Sequence, residues 1–377
     1  MISSLLDRRH FPILDSQRYL NQASLGLIGE PAVRAMHRFI DDVARHGNGR
    51  MSDEDEARFL DAMRAAASKL LSCPASRIAV VGCASEILAQ IPLMIRIPQR
   101  GSVVAVKTDF PAVTRPWLRE QGLGRARVRF VEDRPSESLT DALIGAIDSS
   151  TLVVTVSSVQ YATGSTVDIG RLGKAVSGAG AHFIVDVTQE LGARRVDASG
   201  WDADAVVCSG YKWLGGHGGV ALAAMSPRLL EQVPPMTGWM GAPDPFDFDA
   251  TRLAMADDAR RYTQSTMSYA SVACLAAAVG ELMAIGGERI ESRALALAGL
   301  LVERAAKRGW TPFRSPADGN GCAHIVALSH PESSAEEAMH ELRRRGINCS
   351  SRGGRIRVSI APYNDESDID AFAQALQ

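Results

Sequence analysis

With 377 residues, 46% of them hydrophobic, the chain can bury a large core and divide into about two or three domains, which excludes a peptide-sized or disordered protein. A formal charge of −2 leaves no broad basic surface, so neither nucleic acid nor an anionic membrane is an expected partner. No window approaches the roughly 20 apolar residues of a membrane span. The opening MISSLLDRRHFPILDSQRYL lacks the charged-then-apolar order of a signal peptide, so a cytosolic location is expected.

In chain order, the first 75 residues read as helical. PAVRAMHRFIDDVARHG opens on Pro31, a first-turn residue, and EARFLDAMRAAASKLL follows. From about residue 75 to 225, β-branched runs (RIAVV, SVVAV, RVRFV, TLVVTV, HFIVDV, DAVVCS, GVALAA) alternate with amphipathic stretches such as SEILAQIPLMI, DALIGAI and IGRLGKAVSGAG. That alternation predicts an α/β fold with a mostly parallel seven-stranded sheet, right-handed crossovers and helices on both faces. The segment PPMTGWMGAPDPFDFD has no regular period and reads as a connection or an active-site loop.

Beyond residue 265 the pattern changes to a long apolar helix from Tyr269 to Ala284 and a second helix reaching Arg308. A strand GCAHIVALS, a helix SAEEAMHELRRR and a strand RIRVSIA complete a smaller α+β domain. The expected division is an N-terminal segment, 1–30, shared between the active site and the small domain, then a large domain, 31–260, and a small C-terminal domain, 261–377. The six cysteines (Cys73, Cys83, Cys208, Cys274, Cys322, Cys349) stand singly, with no Cys/His cluster at metal-ligand spacing. They read as buried apolar residues of a reducing compartment, Cys349 among them as a small side chain on a strand.

In an open parallel sheet, ligands collect at the carboxyl ends of the strands. After RIAVV, the turn Gly82-Cys83-Ala84-Ser85-Glu86 opens a helix whose free amides suit a phosphate. Asp186 ends the apolar strand HFIVD, where a lone carboxylate is costly and a cationic partner is expected. The strand DAVVC runs into Ser209-Gly210-Tyr211-Lys212-Trp213 and a glycine-rich turn. A lysine held among apolar groups there has a depressed pKa and suits imine formation with an aldehyde, although taken alone such a lysine is more often a solvated surface residue. His217, in the same turn, reads as a turn residue.

Several separated motifs fall in one order. They are YLNQASLGLIG; Cys83-Ala84-Ser85-Glu86; Asp109-Phe110-Pro111 with Pro116-Trp117; Asp186-Val187-Thr188-Gln189; SGYKW; Arg261-Tyr262 with Ser265-Thr266; and Arg357-Val358-Ser359 with Tyr363-Asn364. Through them the chain from Tyr19 to Ala375 resembles the class V aminotransferase family, which includes cysteine desulfurases, kynureninases and isopenicillin-N-epimerase-like enzymes. The resemblance implies pyridoxal 5'-phosphate (PLP) held by Lys212 in the fold of type I PLP enzymes. It implies that Phe110 stacks on the pyridine ring, that Asp186 keeps the ring nitrogen protonated, and that Gln189 donates to the phenolate oxygen. Ala84, Ser85, Ser209 and Tyr211 are then expected around the phosphate. Thr266 is expected to reach the phosphate of a neighbouring subunit, which makes the working unit a homodimer with shared active sites. Arg357 is expected on the α-carboxylate of a small amino-acid substrate, with Asn21 and Ser24 beside it and Arg352 and Trp239 lining the pocket.

The chain departs from the family pattern in three places. No cysteine occupies the loop position of the desulfurase nucleophile, and Cys349 lies in INCSSRGGRIRVS, which reads as a strand and a tight glycine turn. Phe110 stands where desulfurases have histidine, and Tyr161 stands where many members have a cofactor-binding asparagine. Persulfide chemistry is therefore disfavoured, and the expected reaction is Cα deprotonation by the freed lysine followed by transamination or by β-elimination at a carbon–sulfur bond. Epimerisation, or a catalytically idle binding relative, is the alternative. No Gly-x-Gly-x-x-Gly after the first strand and no Walker lysine loop supports a nucleotide-binding protein.

Overall fold

A computed structural model describes residues 2–95 and 101–376. Seven strands form one sheet in the order Ile78–Val81, Ala221–Met225, Ala205–Ser209, His182–Asp186, Thr151–Ser157, Ser102–Val106, Arg127–Val131. These are the seven runs expected from the sequence. Ala221–Met225 is antiparallel to both of its neighbours, and every other pairing is parallel.

The inner strands read as unbroken apolar runs because both faces are covered. Val80, Val104, Val154, Val185 and Val206 point to one face, under the helices Asp61–Leu70, Leu139–Gly145, Ile169–Gly178 and Tyr269–Ile285. Val81, Val103, Val153, Ile184 and Val207 point to the other, under the helices Ala84–Met94 and Pro111–Gly122. Each fully buried Val or Ile contributes about 1.5–3 kcal/mol relative to exposure, so this double-sided sheet is the rigid element on which a site can be held.

The second sheet is antiparallel, in the order Ser350–Arg352, Arg355–Ser359, Ile325–Ser329, Thr311–Pro312. Gly353 and Gly354, both at positive φ (55° and 73°), make the turn that returns the chain toward Arg357. The helices Gly287–Ala306, Ala335–Arg344 and Glu366–Ala375 cover this sheet.

Three features differ from the sequence expectation. Among the described residues no α-helix begins before Glu30; Arg18–Tyr19 instead pairs in parallel with Ile347–Asn348 as a separate two-stranded sheet, and an isolated bridge from Asn21 to Ser359 joins the N-terminal segment to the small sheet. The helices Pro111–Gly122 and Glu366–Ala375 were not anticipated; the latter begins on a capping box made by Asp365 and Asp368. The helix Tyr269–Ile285, expected in the small domain, packs Val272, Leu275 and Val279 into the core of the large sheet, because its apolar side faces that sheet. Among the described residues no single helix is long and apolar enough to cross a membrane.

Candidate active site

The parallel strands deliver the chemistry at their carboxyl ends. His182–Asp186 ends on Asp186, and Ala205–Ser209 leads into Tyr211 and Lys212. Lys212 is buried, with Nζ 5.0 Å from the ring centroid of Phe110 and 5.7 Å from that of Tyr211. Burial pushes its ammonium down to about 8; Asp186 opposes that shift and Arg357 adds to it. Burial likewise raises the Asp186 carboxyl, against hydrogen bonds from Thr188 and the charge of Lys212. The Thr188 amide donates to Asp186 Oδ1 at 2.7 Å. A lysine in this state releases its proton close to neutral pH, which suits it to attack an aldehyde.

Around this pair, Cys83, Ala84, Ser85, Phe110, Tyr161, Gln189, Ser209 and Tyr211 line one cleft of about 140 Å³. A larger groove of about 540 Å³, beside Arg194, Trp201 and Met283, holds none of these groups. The helix Ala84–Met94 begins in the cleft without a side-chain cap, since Cys83 makes no capping bond and Glu86 turns back to accept the Gly82 amide at 3.0 Å. Its first amides, with the Ser85 and Ser209 hydroxyls, therefore offer an anion site. The Phe110 ring, 36% exposed, is an apolar face left open over the lysine. Tyr161 meets that ring edge-on at 5.5 Å and 82°.

Arg357, from the small sheet, lies behind the cleft and touches its lining through Tyr161. Its Nη1 donates to the Tyr161 carbonyl at 2.8 Å, Nη2 donates to the Ser24 hydroxyl, and its buried Nε meets no acceptor among the described residues. Arg352 Nη2 approaches the same Ser24 hydroxyl at 3.4 Å. Burial, with Arg352 as the second cause, pushes the Arg357 guanidinium down to about 10. A buried cation with only a carbonyl and a hydroxyl for company is poised for an anionic ligand.

The N-terminal segment closes the site from the other side. Gln22 Nε2 donates to the Lys212 carbonyl at 2.8 Å, and its Oε1 accepts from the Tyr363 hydroxyl at 2.8 Å. Asn364 Nδ2 donates to the Tyr19 carbonyl at 3.0 Å. A Cβ at position 26 would strike the Lys212 carbonyl, so this close approach requires Gly26. Asn21 Nδ2 donates to Asn348 Oδ1 at 3.2 Å, and the Asn21 Oδ1 has no partner.

Of the residues singled out from the sequence, Ala84, Ser85, Phe110, Tyr161, Asp186, Gln189, Ser209, Tyr211 and Lys212 line the cleft and Arg357 bonds to Tyr161 at its edge, whereas Thr266 and Trp239 lie outside it. Thr266 is exposed, and its hydroxyl lies 3.4 Å from Glu56. Gln189 is more occupied than expected. Its Nε2 donates to the Ala23 carbonyl at 3.0 Å and its Oε1 accepts from Trp213 Nε1 at 2.8 Å, which leaves one amide proton for a ligand. Cys349 is turned into the core with Sγ 3.4 Å from Met339 Sδ, and burial pushes its thiol up to about 12. His217 is exposed and bonds to the neighbouring Gly218 carbonyl and toward Ser271 of the helix Tyr269–Ile285, away from the cleft. Trp239 meets Phe246 edge-on and Phe248 at a tilt in the aperiodic loop.

Sequence reasoning quoted Gln22 within YLNQASLGLIG and Asp109 within Asp109-Phe110-Pro111 but gave neither a role, and it missed His324. His324 Nε2 donates to the Gln189 carbonyl at 2.6 Å, and burial holds its ring neutral with a pKa lowered to about 3. A polar residue inside an otherwise apolar run was the available signal for His324, whereas Gln22 and Asp109 stand among other polar residues that hide their burial.

A lysine and a carboxylate at adjacent strand ends, an uncapped helix N-terminus and an open aromatic face fit PLP, and with this sheet they define an enzyme of the type I PLP fold. The family model for class V aminotransferases matches residues 18–372, and the chain belongs to that PLP-dependent family. It is 24% identical to a probable cysteine desulfurase of Methanothermobacter thermautotrophicus, over 98% of this chain and 96% of that one. It is 25% identical to a kynureninase of Bacillus anthracis, over 93% of this chain and 85% of that one. The fold superposes on the Escherichia coli cysteine desulfurase CsdA with a TM-score of 0.85 at 22% identity, covering 98% of this chain and 96% of that one. It superposes on the cystine C–S lyase C-DES with a TM-score of 0.87 at 16% identity, covering 97% and 98%.

Proposed function

We propose that the protein cleaves a carbon–sulfur bond at Cβ of a small α-amino acid by β-elimination. The observation that supports this reading is the Arg357 guanidinium, without a carboxylate partner among the described residues, held behind the cleft that contains the Lys212 amine, while Cys349 faces away from it. Among the relatives, cysteine desulfurase and cystine C–S lyase are both named for sulfur amino acids. In the lyase reading the sulfur leaves on the departing fragment, and no enzyme thiol is needed to receive it.

When bound, PLP supplies an electron-poor ring that takes up the electron pair left at Cα. Asp186 holds the proton on the pyridine nitrogen. Ser85, Ser209, Tyr211 and the amides at Ala84 and Ser85 hold the phosphate, Phe110 covers the ring, and Gln189 offers its remaining amide proton to the phenolate oxygen. Arg357, steadied by Ser24 and the Tyr161 carbonyl, binds the α-carboxylate with a planar fork that orients the Cα–H bond. The Lys212 amine, neutral above about pH 8, then takes the Cα proton. Arg352 adds a second positive charge beside Arg357, toward the side chain of the substrate. Asn21 and Ser24 complete the wall. Thr266, outside its own chain's cleft, serves the phosphate of a second subunit in a homodimer.

The test is to mix the PLP-loaded protein with cystine, cysteine and S-substituted cysteines, beside Lys212→Ala. Lysine-dependent release of pyruvate and ammonia is the expected result. Accumulation of the pyridoxamine form with a keto acid would replace elimination by transamination, and sulfur recovered on the protein would replace it by desulfurase chemistry.

A further inference from the structure

Asp109 is a buried carboxylate that the mechanism above does not use. It lies beyond the strand Ser102–Val106 and directly before Phe110, and among the described residues no cation is paired with it. Four neutral donors satisfy it instead. Oδ1 accepts from the Phe110 amide at 2.6 Å and the Ser157 hydroxyl at 2.5 Å. Oδ2 accepts from the Ser157 amide at 2.8 Å and from Gln160 Nε2 at 3.3 Å. An unpaired charge at such a depth is costly. Burial accordingly pushes this carboxyl up to about 6, against the hydrogen bonds from Ser157, Phe110 and Gln160.

What the four donors share is their relation to the cleft. Phe110 carries the ring over Lys212 Nζ at 5.0 Å. Ser157 and Gln160 begin the turn that presents Tyr161, whose ring meets Phe110 edge-on and whose carbonyl accepts Arg357. The carboxylate therefore ties two chain segments that are remote in sequence, and those segments carry the cover of the lysine and the support of the arginine.

We propose that Asp109 is a positioning residue, whose carboxylate fixes Phe110 and the 157–161 turn against each other and so sets the aromatic cover of the cofactor and the seat of Arg357. This rests on the reading that Phe110 covers the cofactor, and it is independent of which reaction follows. An asparagine of the same size accepts through one oxygen only and turns an N–H toward donors, so it cannot hold all four groups.

The experiment uses Asp109→Asn and, as a gentler change, Ser157→Ala, which removes one donor without adding bulk. Visible circular dichroism of bound PLP reports the chiral surroundings of the ring, and a PLP titration reports affinity. Loss of charge-assisted hydrogen bonds predicts an about tenfold or larger rise in the PLP dissociation constant for Asp109→Asn, with a weaker dichroic band and a smaller effect of the same sign for Ser157→Ala. Wild-type dichroism and affinity in folded Asp109→Asn would overturn the proposal and leave Asp109 a purely structural residue. Should Asp109→Asn not fold, wild-type dichroism and affinity in Ser157→Ala would overturn it equally. If both variants weaken PLP binding while the C–S reaction is absent, the positioning role stands and the proposed reaction falls.

Discussion

Two rims meet at this cleft, and they are built by different means. On the large sheet, Asp186 and Lys212 follow directly from adjacent parallel strands, and their positions come from strand pairing and from side-chain burial on both faces. On the small sheet, Arg357 lies within a strand, and what aims it is remote in sequence: Ser24 from the N-terminal segment and the Tyr161 carbonyl from a turn of the large unit. Sheet topology alone can place the proposed reacting lysine, whereas the proposed carboxylate-binding arginine depends on a long-range polar network.

The largest effect should come from the first rim. Lys212→Ala removes the proposed acid–base group, and turnover should fall about 10³-fold or more while the fold persists, because a buried cation is exchanged for a small apolar side chain. Steady-state rates beside far-ultraviolet dichroism check this. A variant retaining near wild-type turnover would move the proton transfer to another residue.

Next in size is the coupling between the rims. Arg314, on the small-sheet side, pairs with Asp133 of the large unit at 2.9 Å, with side chains only 3% and 1% exposed. Arg314 Nε also donates to Ser165 Oγ at 2.6 Å, and Thr163 Oγ1 donates to Asp133 at 2.7 Å, so the ion pair clamps the turn that presents Tyr161. Arg314→Met leaves a buried carboxylate without its cation and should cost about 3–5 kcal/mol in urea unfolding. An unchanged midpoint would show that the two units are held together elsewhere.

The same contrast explains what the sequence discloses. The seven strands, Asp186, Lys212 and the 82–86 turn are legible because strand periodicity is local and a parallel sheet sends ligands to one edge. The motif order from Tyr19 to Ala375 makes Arg357 legible only by resemblance, since its hydrogen-bond partners, Ser24 and the Tyr161 carbonyl, are both remote in sequence. Gln22, Asp109 and His324 were not legible, because each acts through one hydrogen bond or a few to residues far along the chain, and burial of a polar side chain is decided by packing. The helix Tyr269–Ile285 was assigned to the wrong unit for a related reason: apolar periodicity shows that a face is buried, not what it is buried against.

A smaller and pH-dependent effect sharpens the first rim. With its ammonium pushed from 10.5 to about 8, Lys212 in the cofactor-free protein should capture the PLP aldehyde at a rate that rises with pH up to about 8 and then levels off. The linked stability has a definite sign. The unfolded chain keeps the lysine proton between pH 8 and 10.5, so the contribution of this group is fully present above 10.5 and is lost as pH falls through about 8. Stopped-flow absorbance across that range checks the rate. A profile that continues to rise to pH 10 would mean that Lys212 is not desolvated before the cofactor arrives.

The smallest effect is expected at the second rim, from Cys349→Ala. The thiol is 6% exposed, points to Met339, and is pushed up to about 12 by burial, so it is held protonated and away from the cleft. Removing it leaves a small cavity and should cost about 1 kcal/mol of stability, while pyruvate release from an S-substituted cysteine is unchanged. This null result in activity carries weight because Cys349 lies on the same hairpin as Arg352 and Arg357. If a folded Cys349→Ala protein loses turnover, that hairpin must move to bring the thiol to the substrate, and the small-sheet rim would supply a nucleophile as well as a carboxylate site.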